Sequence, residues 1–216
     1  NDNISFNIIN KLLLATYSDS LIDFLIKKNM CKDLTTDYNY NIKKNTSIFV
    51  IQLELTENGT KNKNFILNVI FSFFKFLNDN FNSLLDKFNI LLDEILIKKK
   101  FNFKNNLETN LEKLENLSYT YNDFKVDLKY LNSINIIYEN NKILLKNFKM
   151  ILEQFKLDNL YIIDISKNNK LENFNFDENY QFKYSIIEKN FELKYIDLDY
   201  LKFIPKKNKL IDNEIL

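Results

Sequence analysis

Residues 47–60, Ser-Ile-Phe-Val-Ile-Gln-Leu-Glu-Leu-Thr-Glu-Asn-Gly-Thr, constrain the fold most, because a strand pattern ends there at the only glycine of the chain. Apolar side chains recur at every second position over residues 49–55, which predicts a β-strand with one face on the core. Gly59 follows Asn58, and we expect it to turn the chain sharply through a positive φ angle. A helical apolar pattern over residues 64–77 comes next. The predicted unit is a strand, a tight turn and a helix.

The remaining periodicities place other elements around this unit. Apolar residues at helical spacing predict helices over residues 4–14, 21–30, 64–77, 83–100 and 141–155, and two further helices over residues 102–122 and 123–131. Strand patterns cover residues 33–40, 160–165 and 180–187, and the second of these is predicted to be buried. Ser18 or Ser20 is the expected N-cap of the second helix.

The order of these elements indicates an α+β fold, with several helices packed on one face of a mainly antiparallel sheet. A polar turn joins the strand over residues 33–40 to the strand that follows it, and this arrangement predicts an antiparallel hairpin. A chain of 216 residues is long enough to bury a sizeable core. We therefore expect a single domain over residues 1–200, followed by an extended tail or linker over residues 201–216.

The composition excludes most catalytic chemistry from this chain. It contains no histidine, and therefore has no imidazole base, no histidine-activated nucleophile and no histidine ligand for zinc. A single cysteine excludes a thiolate zinc site, and a single glycine excludes a glycine-rich phosphate loop. We expect no catalytic residue, no metal site and no cofactor in this chain.

Charge and cysteine content narrow the partners and the compartment. The 30 basic residues, all of them lysine, balance 29 acidic residues, so there is no overall positive field and no arginine to bind phosphate or guanine. No apolar run approaches the ~20 residues of a membrane span, and the start of the sequence has no basic leader of a signal peptide. The single cysteine is typical of a reducing compartment. We expect no nucleic acid, no membrane and a cytoplasmic location.

Four short motifs, in the same order along the chain, resemble one known family. Residues 49–59 resemble an apolar strand followed by Asp-Leu-Thr-Glu-x-Gly, and residues 21–29 resemble a Leu-Leu-x-x-Leu helix with a lysine-rich end. Residues 159–167 resemble a Glu-Asn-Val-Arg-x-x-x-x-Ser-Lys strand, and residues 201–211 resemble a Leu-Pro-x-x-Asn-x-Phe-Ile-Pro tail. On these motifs the chain resembles the second, non-catalytic domain of insulysin, the insulin-degrading enzyme of the pitrilysin-type zinc metallopeptidases, without that domain's first strand.

The resemblance implies a metallopeptidase-like α/β roll that forms one wall of a substrate chamber, together with the other domains of the same protease. In that family a different domain holds the zinc through His-x-x-Glu-His and a distal Glu, so the parent would be a zinc metalloendopeptidase while this chain holds no zinc. The family captures peptide substrates by adding their N-terminal segment as a strand at an exosite, which corresponds to residues 34–40. The implied peptide-binding residues are Leu34, Thr35, Thr36, Asp37 and Tyr38, with Tyr180 and Tyr184 lining the chamber.

Several glycines of the family pattern are replaced in this chain. Thr36 and Asp37 stand where the family has Gly-Gly, and its Trp-Tyr-Gly-Thr-x-Tyr is reduced to residues 179–184. Two alternatives therefore stay open for the sites: residues 34–40 are an ordinary edge strand, and the two tyrosines are packing residues with a solvated hydroxyl. For the whole protein, the alternative is an inactive member of the family that serves as a structural or protein-binding subunit.

Overall fold

The computed structural model describes residues 2–15, 17–43, 46–104, 141–165, 175–179, 182–186 and 192–208. Within these ranges the helices are α1 (Asp2–Leu13), α2 (Leu21–Lys27), α3 (Glu57–Lys61), α4 (Lys63–Asp79), α5 (Leu85–Lys104) and α6 (Asn141–Leu152). The strands are β1 (Cys31–Lys43), β2 (Thr46–Leu55), β3 (Asn175–Asp177) and β4 (Phe182–Tyr184), and 3-10 turns span Leu157–Asn159 and Tyr200–Phe203. The α+β class predicted from the sequence is confirmed, and β1–β2 and β3–β4 are both antiparallel pairs.

Most of the predicted elements are confirmed, with shifted boundaries. The helices predicted over residues 4–14, 64–77, 83–100 and 141–155 correspond to α1, α4, α5 and α6, whereas the helix predicted over residues 21–30 ends at Lys27. Ser20 is its N-cap, because the Ser20 hydroxyl accepts a hydrogen bond from the Asp23 N–H at 3.2 Å. The strand predicted over residues 180–187 covers Phe182–Tyr184 in the described part. The helices predicted over residues 102–122 and 123–131 lie outside the described residues from residue 105 onward.

The β1–β2 hairpin has one face on the helices and the other face in solvent. Leu34 lies opposite Leu53 in the antiparallel register, and the Leu34 side chain is buried. Phe6 of α1 stacks on Tyr38 and on Phe49, with ring centroids 5.5 Å apart in each pair. The alternation predicted for β2 is confirmed, because every second side chain from Phe49 onward packs against the core.

Helices α1, α4, α5 and α6 supply most of the core. Its largest fully buried side chains are Phe73, Phe74, Phe88, Phe148, Ile8, Ile9, Leu12, Leu13, Leu21, Leu25, Ile66 and Leu77. Burial of each such side chain stabilises the fold by roughly 1.5–3 kcal/mol. The apolar pattern predicted over residues 64–77 thus packs in the core as part of α4. None of the helices in the described ranges is both long enough and apolar enough to cross a membrane.

Gly59 does not turn the chain through a positive φ angle, so that expectation from the sequence is wrong. The residue lies inside α3, and its N–H donates to the hydroxyl of the N-cap residue Thr56 at 2.9 Å. A glycine is required there for a different reason: a Cβ atom at position 59 would lie 1.7 Å from the carbonyl oxygen of Met30. The absence of a side chain therefore lets α3 lie against the connection between α2 and β1.

Residues 160–165 do not form the buried strand that their composition predicts. Tyr161 and Ile163 are 92% and 85% exposed, and no strand is present between residues 160 and 165. Asp164 forms an ion pair with Lys63, at the start of α4. A strand needs a neighbour for its N–H and C=O groups, and the described strands pair only as β1–β2 and β3–β4. None of the described strands pairs with residues 160–165, and high β-propensity alone does not produce a strand.

Residues 192–208, here called the C-terminal strap, join the helical core. Tyr200 and Phe203, in the 3-10 turn, are each 5% exposed, and Ile204 is also buried. The sequence predicts an extended segment from residue 201 onward, but residues 201–203 belong to this 3-10 turn. Apolar burial holds the strap, because these three side chains enter the same core as the helices.

One tyrosine hydroxyl also ties the strap to the segment before α2, and a second one closes a hydrogen bond within the strap. The Tyr17 hydroxyl donates to the Lys202 carbonyl at 3.1 Å, and the Tyr200 hydroxyl donates to the Ile196 carbonyl at 2.6 Å. Burial raises the pKa of both phenols above the ordinary value of 10.0, and a nearby carboxylate adds to the increase in each case. The folded protein therefore binds these two protons more tightly than the unfolded chain does.

We expect the protein to lose stability at alkaline pH through these phenols. The contribution of a phenol with a raised pKa is fully present below pH 10.0 and is lost as the pH rises toward the raised value. The melting temperature of the wild type should fall more steeply between about pH 9 and about pH 11 than that of Tyr17→Phe. Differential scanning fluorimetry measures both slopes. Lysines titrate in both proteins, so equal slopes would contradict the role given to Tyr17.

Candidate functional site

Strand β1 carries the candidate peptide-binding site at the edge of its sheet. It pairs with β2 in continuous antiparallel register over residues 33–39, and a bulge separates Cys31 from Asp33. In the part of the chain that the structure describes, this sheet consists of β1 and β2, and β1 faces no further strand along its other edge. Such an edge is where an extended peptide adds to a sheet by main-chain hydrogen bonds.

Three of the side chains predicted to bind peptide point toward the helices. Leu34 is 3% exposed, the Thr36 hydroxyl donates to Asn10 Oδ1 at 2.8 Å, and Tyr38 stacks on Phe6. These contacts fix β1 on α1. We therefore assign the side chains of Leu34, Thr36 and Tyr38 to packing, and only their backbone groups remain candidates for contact with a peptide.

Thr35 and Asp37 lie on the opposite face of β1 and are exposed. Their partners across the hairpin are Gln52 and Val50, and Val50 is 43% exposed. Ile48 is equally exposed on the same face, which therefore carries two apolar side chains among polar ones. No binding role was predicted for this face, although Val50, an apolar residue in the polar half of the alternation, indicated one.

Two carboxylates cover part of the β1 backbone. Asp33 Oδ1 accepts from the Leu34 N–H, and Asp37 Oδ1 accepts from the Tyr38 N–H, both at 2.8 Å. Because N–H groups alternate between the two edges of a strand, the amides of residues 34, 36 and 38 lie along one edge. An amide bonded to the neighbouring carboxylate does not donate into the β1–β2 ladder, so we infer that this edge is the outer one. The Thr36 N–H lies between the two covered amides.

The role of Asp33 was not predicted. Its signal was present, because Asp33 and Asp37 are four residues apart and each precedes a residue on the buried face of the strand. Carboxylates on an edge strand discourage unwanted pairing between strands. No other strand of the described residues pairs with this edge, but two of its N–H donors are already bonded to carboxylates.

The first residues of β1 carry little reactive chemistry. Lys32 Nζ and Glu54 Oε1 form an exposed ion pair at 2.9 Å, and this hydrogen bond raises the pKa of Lys32. Cys31 is 2% exposed, and burial raises the pKa of its thiol, with a further contribution from Asp33. A buried thiol with a raised pKa is a poor nucleophile at neutral pH. We therefore assign Cys31 to the core.

The two tyrosines predicted to line a chamber are not both described. Tyr184 lies in β4, opposite Asn175 of β3, and is 39% exposed. Strands β3 and β4 form a sheet separate from β1–β2. Tyr180 lies outside the described residues. Five of the seven predicted residues thus lie together on β1, and Tyr184 lies on the other hairpin.

Within the described ranges, no three side chains among histidine, cysteine, aspartate and glutamate are grouped so as to hold a metal ion. Comparisons with protein-family models, with curated proteins and with solved structures give no match for this chain. Its own geometry defines an α+β protein whose first hairpin is packed on helices through one face and whose β1 edge is not covered by any other strand of the described residues.

Proposed function

We propose that this chain is a non-catalytic, peptide-binding domain of an insulysin-like zinc metalloendopeptidase in the cytoplasm. It forms a wall of the substrate chamber, contacts the other domains of the protease, and binds a peptide substrate by adding it as a strand to the outer edge of β1. The observation that carries the proposal is this edge, which has no strand partner among the described residues although β1 is firmly held on α1.

No catalytic step is assigned to this chain. Zinc sites of this family need histidine ligands, and the chain has no histidine and a single, buried cysteine. The zinc of such an enzyme would be held by another domain, and the contribution of this chain is to bind and orient the peptide. Binding at a rigid strand lowers the entropy cost of presenting a flexible peptide to a distant catalytic site.

The Thr36 amide offers a direct test of strand addition. Thr36→Pro removes the N–H between the two covered amides and leaves the amides of the inferred β1–β2 ladder in place. We expect it to weaken binding of a fluorescein-labelled, oxidised insulin B chain by about tenfold, since one main-chain hydrogen bond is lost and the proline ring obstructs the edge. Fluorescence anisotropy with the isolated chain measures the affinity.

Thr36→Val is the matched control for this test. It removes the hydroxyl that bonds to Asn10 but keeps the amide, so it should bind the peptide like the wild type. Equal affinities of Thr36→Pro and Thr36→Val would contradict strand addition at this edge. A wild type that does not bind the peptide at all would contradict the peptide-binding function itself.

A second function is favoured by Asp33 and Asp37. Their carboxylates occupy two edge amides, as in a strand that is protected against additional pairing. The parent would then be an inactive member of the family that acts as a structural or protein-binding subunit. Two observations distinguish the two functions. An active parent carries His-x-x-Glu-His in the same polypeptide, and it cleaves peptides in a zinc-dependent manner. An inactive parent does neither.

A further inference from the structure

Helix α4 binds the main chain of the C-terminal strap through two buried polar side chains. The Lys194 N–H donates to Asn68 Oδ1, and the Ile196 N–H donates to Ser72 Oγ, both at 2.9 Å. Asn68 and Ser72 are 9% and 3% exposed, in a helix whose other buried residues are apolar. Burying polar groups is costly unless they are hydrogen-bonded. The strap amides supply the partners that make these two positions tolerable.

The spacing of the two acceptors matches an extended peptide. Residues 68 and 72 are about 6 Å apart along the helix axis, and alternate residues of an extended chain are about 6.6 Å apart. Asn68 and Ser72 therefore bind the N–H groups of two strap residues that are two positions apart, and these contacts do not depend on the side chains of the strap residues. Most of the strap side chains in this stretch point to solvent, and Tyr195 is 58% exposed.

Phe24 of α2 and Phe73 of α4 form what is here called the α2–α4 aromatic cleft, next to these acceptors. The Tyr200 ring stacks on Phe73 at a centroid distance of 6.1 Å. The Phe203 ring lies 5.7 Å from Phe73 and 5.7 Å from Phe24 of α2, and Ile204 is 2% exposed. The strap is thus held as a recognition peptide is held, with main-chain hydrogen bonds followed by buried apolar anchors and with exposed residues between them.

We propose that the face of α4 around Asn68 and Ser72, together with the α2–α4 aromatic cleft, is a peptide-binding groove that the strap occupies in cis. Its ligand class is an extended peptide that offers two N–H donors on alternate residues, followed by an aromatic anchor corresponding to Tyr200 and a Phe-Ile pair. The groove is separate from the β1 edge and does not depend on the function proposed for that edge. In this chain the strap shields the groove from other peptides of the same pattern.

Amide hydrogen exchange of the whole 216-residue chain tests whether the strap is a separable ligand. In Ser72→Ala we expect the Ile196 and Lys194 amides to exchange roughly tenfold faster, while the amides of α4 and α6 keep their wild-type rates. Ser83→Ala, which alters an exposed serine outside the groove, should change none of these rates. The proposal is overturned if strap and helix amides exchange at one common rate in every variant, because the strap then opens only when the whole protein unfolds.

A peptide added in trans tests the groove itself. The probe is a labelled peptide with the sequence of residues 192–205, and the protein is the double variant Tyr200→Ala, Phe203→Ala, in which the strap has lost two anchors. N-methylation of the probe amides at positions 194 and 196 should weaken binding by about tenfold, and N-methylation at positions 195 and 197 should not. Equal binding of the two methylated probes, or no binding by a folded variant, overturns the proposal. If circular dichroism shows the double variant to be unfolded, the exchange result with Ser72→Ala decides.

Discussion

Gly59→Ala is expected to destabilise the protein by about 3 kcal/mol, one of the two largest effects of a single substitution that we predict for this chain. The added Cβ would lie 1.7 Å from the Met30 carbonyl oxygen and 2.8 Å from the Met30 carbonyl carbon. Both atoms belong to the backbone, so no rotation of a flexible side chain relieves the clash. Helix α3 must move away from the connection between α2 and β1. Urea denaturation followed by far-UV circular dichroism measures the loss.

Lys61→Ala is the control for this substitution. Lys61 is exposed in the same short helix, and alanine favours helix formation, so the free energy of unfolding should change by less than about 0.5 kcal/mol. A Gly59→Ala variant as stable as Lys61→Ala would show that the close approach to Met30 is not required. The position would then be tolerant, contrary to the geometry.

The clash also bears on the candidate site. The Met30 carbonyl accepts a hydrogen bond from the Thr56 N–H at 3.2 Å, and the Thr56 hydroxyl donates to the Asn29 carbonyl at 2.6 Å. These contacts tie the end of β2 to the start of β1. Displacement of α3 disturbs them, and we expect Gly59→Ala to weaken any peptide binding at the β1 edge together with stability.

Periodic patterns in the sequence predicted the elements that bury one face. The alternation over residues 49–55 identified β2 and its inward side, and the apolar spacing over residues 64–77 identified α4. These patterns are reliable because burial of one face is a local requirement, satisfied by the residues of the element itself. They do not fix the ends of an element, which depend on caps and neighbours, and α2 accordingly ends before its predicted boundary.

Contacts between distant segments were not predictable in the same way. Gly59 was correctly identified as a special position. Glycine is required there because of the Met30 carbonyl group, which lies 29 residues earlier in the chain (59 − 30). The polar residues Asn68 and Ser72 interrupt the apolar pattern of α4, and the sequence does not identify their partners, which are amides of the distant strap. A backbone partner leaves no mark on the sequence, since every residue except proline can supply it.

The strand that carries the candidate site was predicted, but the direction of its side chains was not. Residues 34–38 were placed on a strand next to β2, as the structure has them, but the side chains of Leu34 and Tyr38 pack on the core. Which side of a strand faces the helices follows from register and tertiary packing, and in a polar strand the sequence specifies it weakly. The spacing of Asp33 and Asp37 is visible in the sequence, but the hydrogen bonds by which they cover edge amides depend on local geometry.

Phe73→Ala and Ile163→Ala should differ widely, although both residues lie in strongly apolar stretches of sequence. Phe73 is fully buried between Phe74, Tyr200 and Phe203, so its truncation leaves a cavity in the core. We expect Phe73→Ala to lower the free energy of unfolding by about 4 kcal/mol. Ile163 is 85% exposed, so Ile163→Ala should change it by less than about 0.5 kcal/mol. Urea denaturation of both variants measures the contrast.

The contrast tests the exposure of residues 160–165 as well as the burial of Phe73 in the core. Ile→Ala in a buried strand costs about 2–5 kcal/mol, so a loss of that size in Ile163→Ala would restore the strand predicted from the sequence. Tyr161→Ala provides a second measurement in the same segment, because Tyr161 is 92% exposed and should also be neutral. If Ile163→Ala and Tyr161→Ala are neutral while Phe73→Ala is strongly destabilised, residues 160–165 lie on the protein surface. The core then depends on the aromatic rings that α4 and the strap bring together.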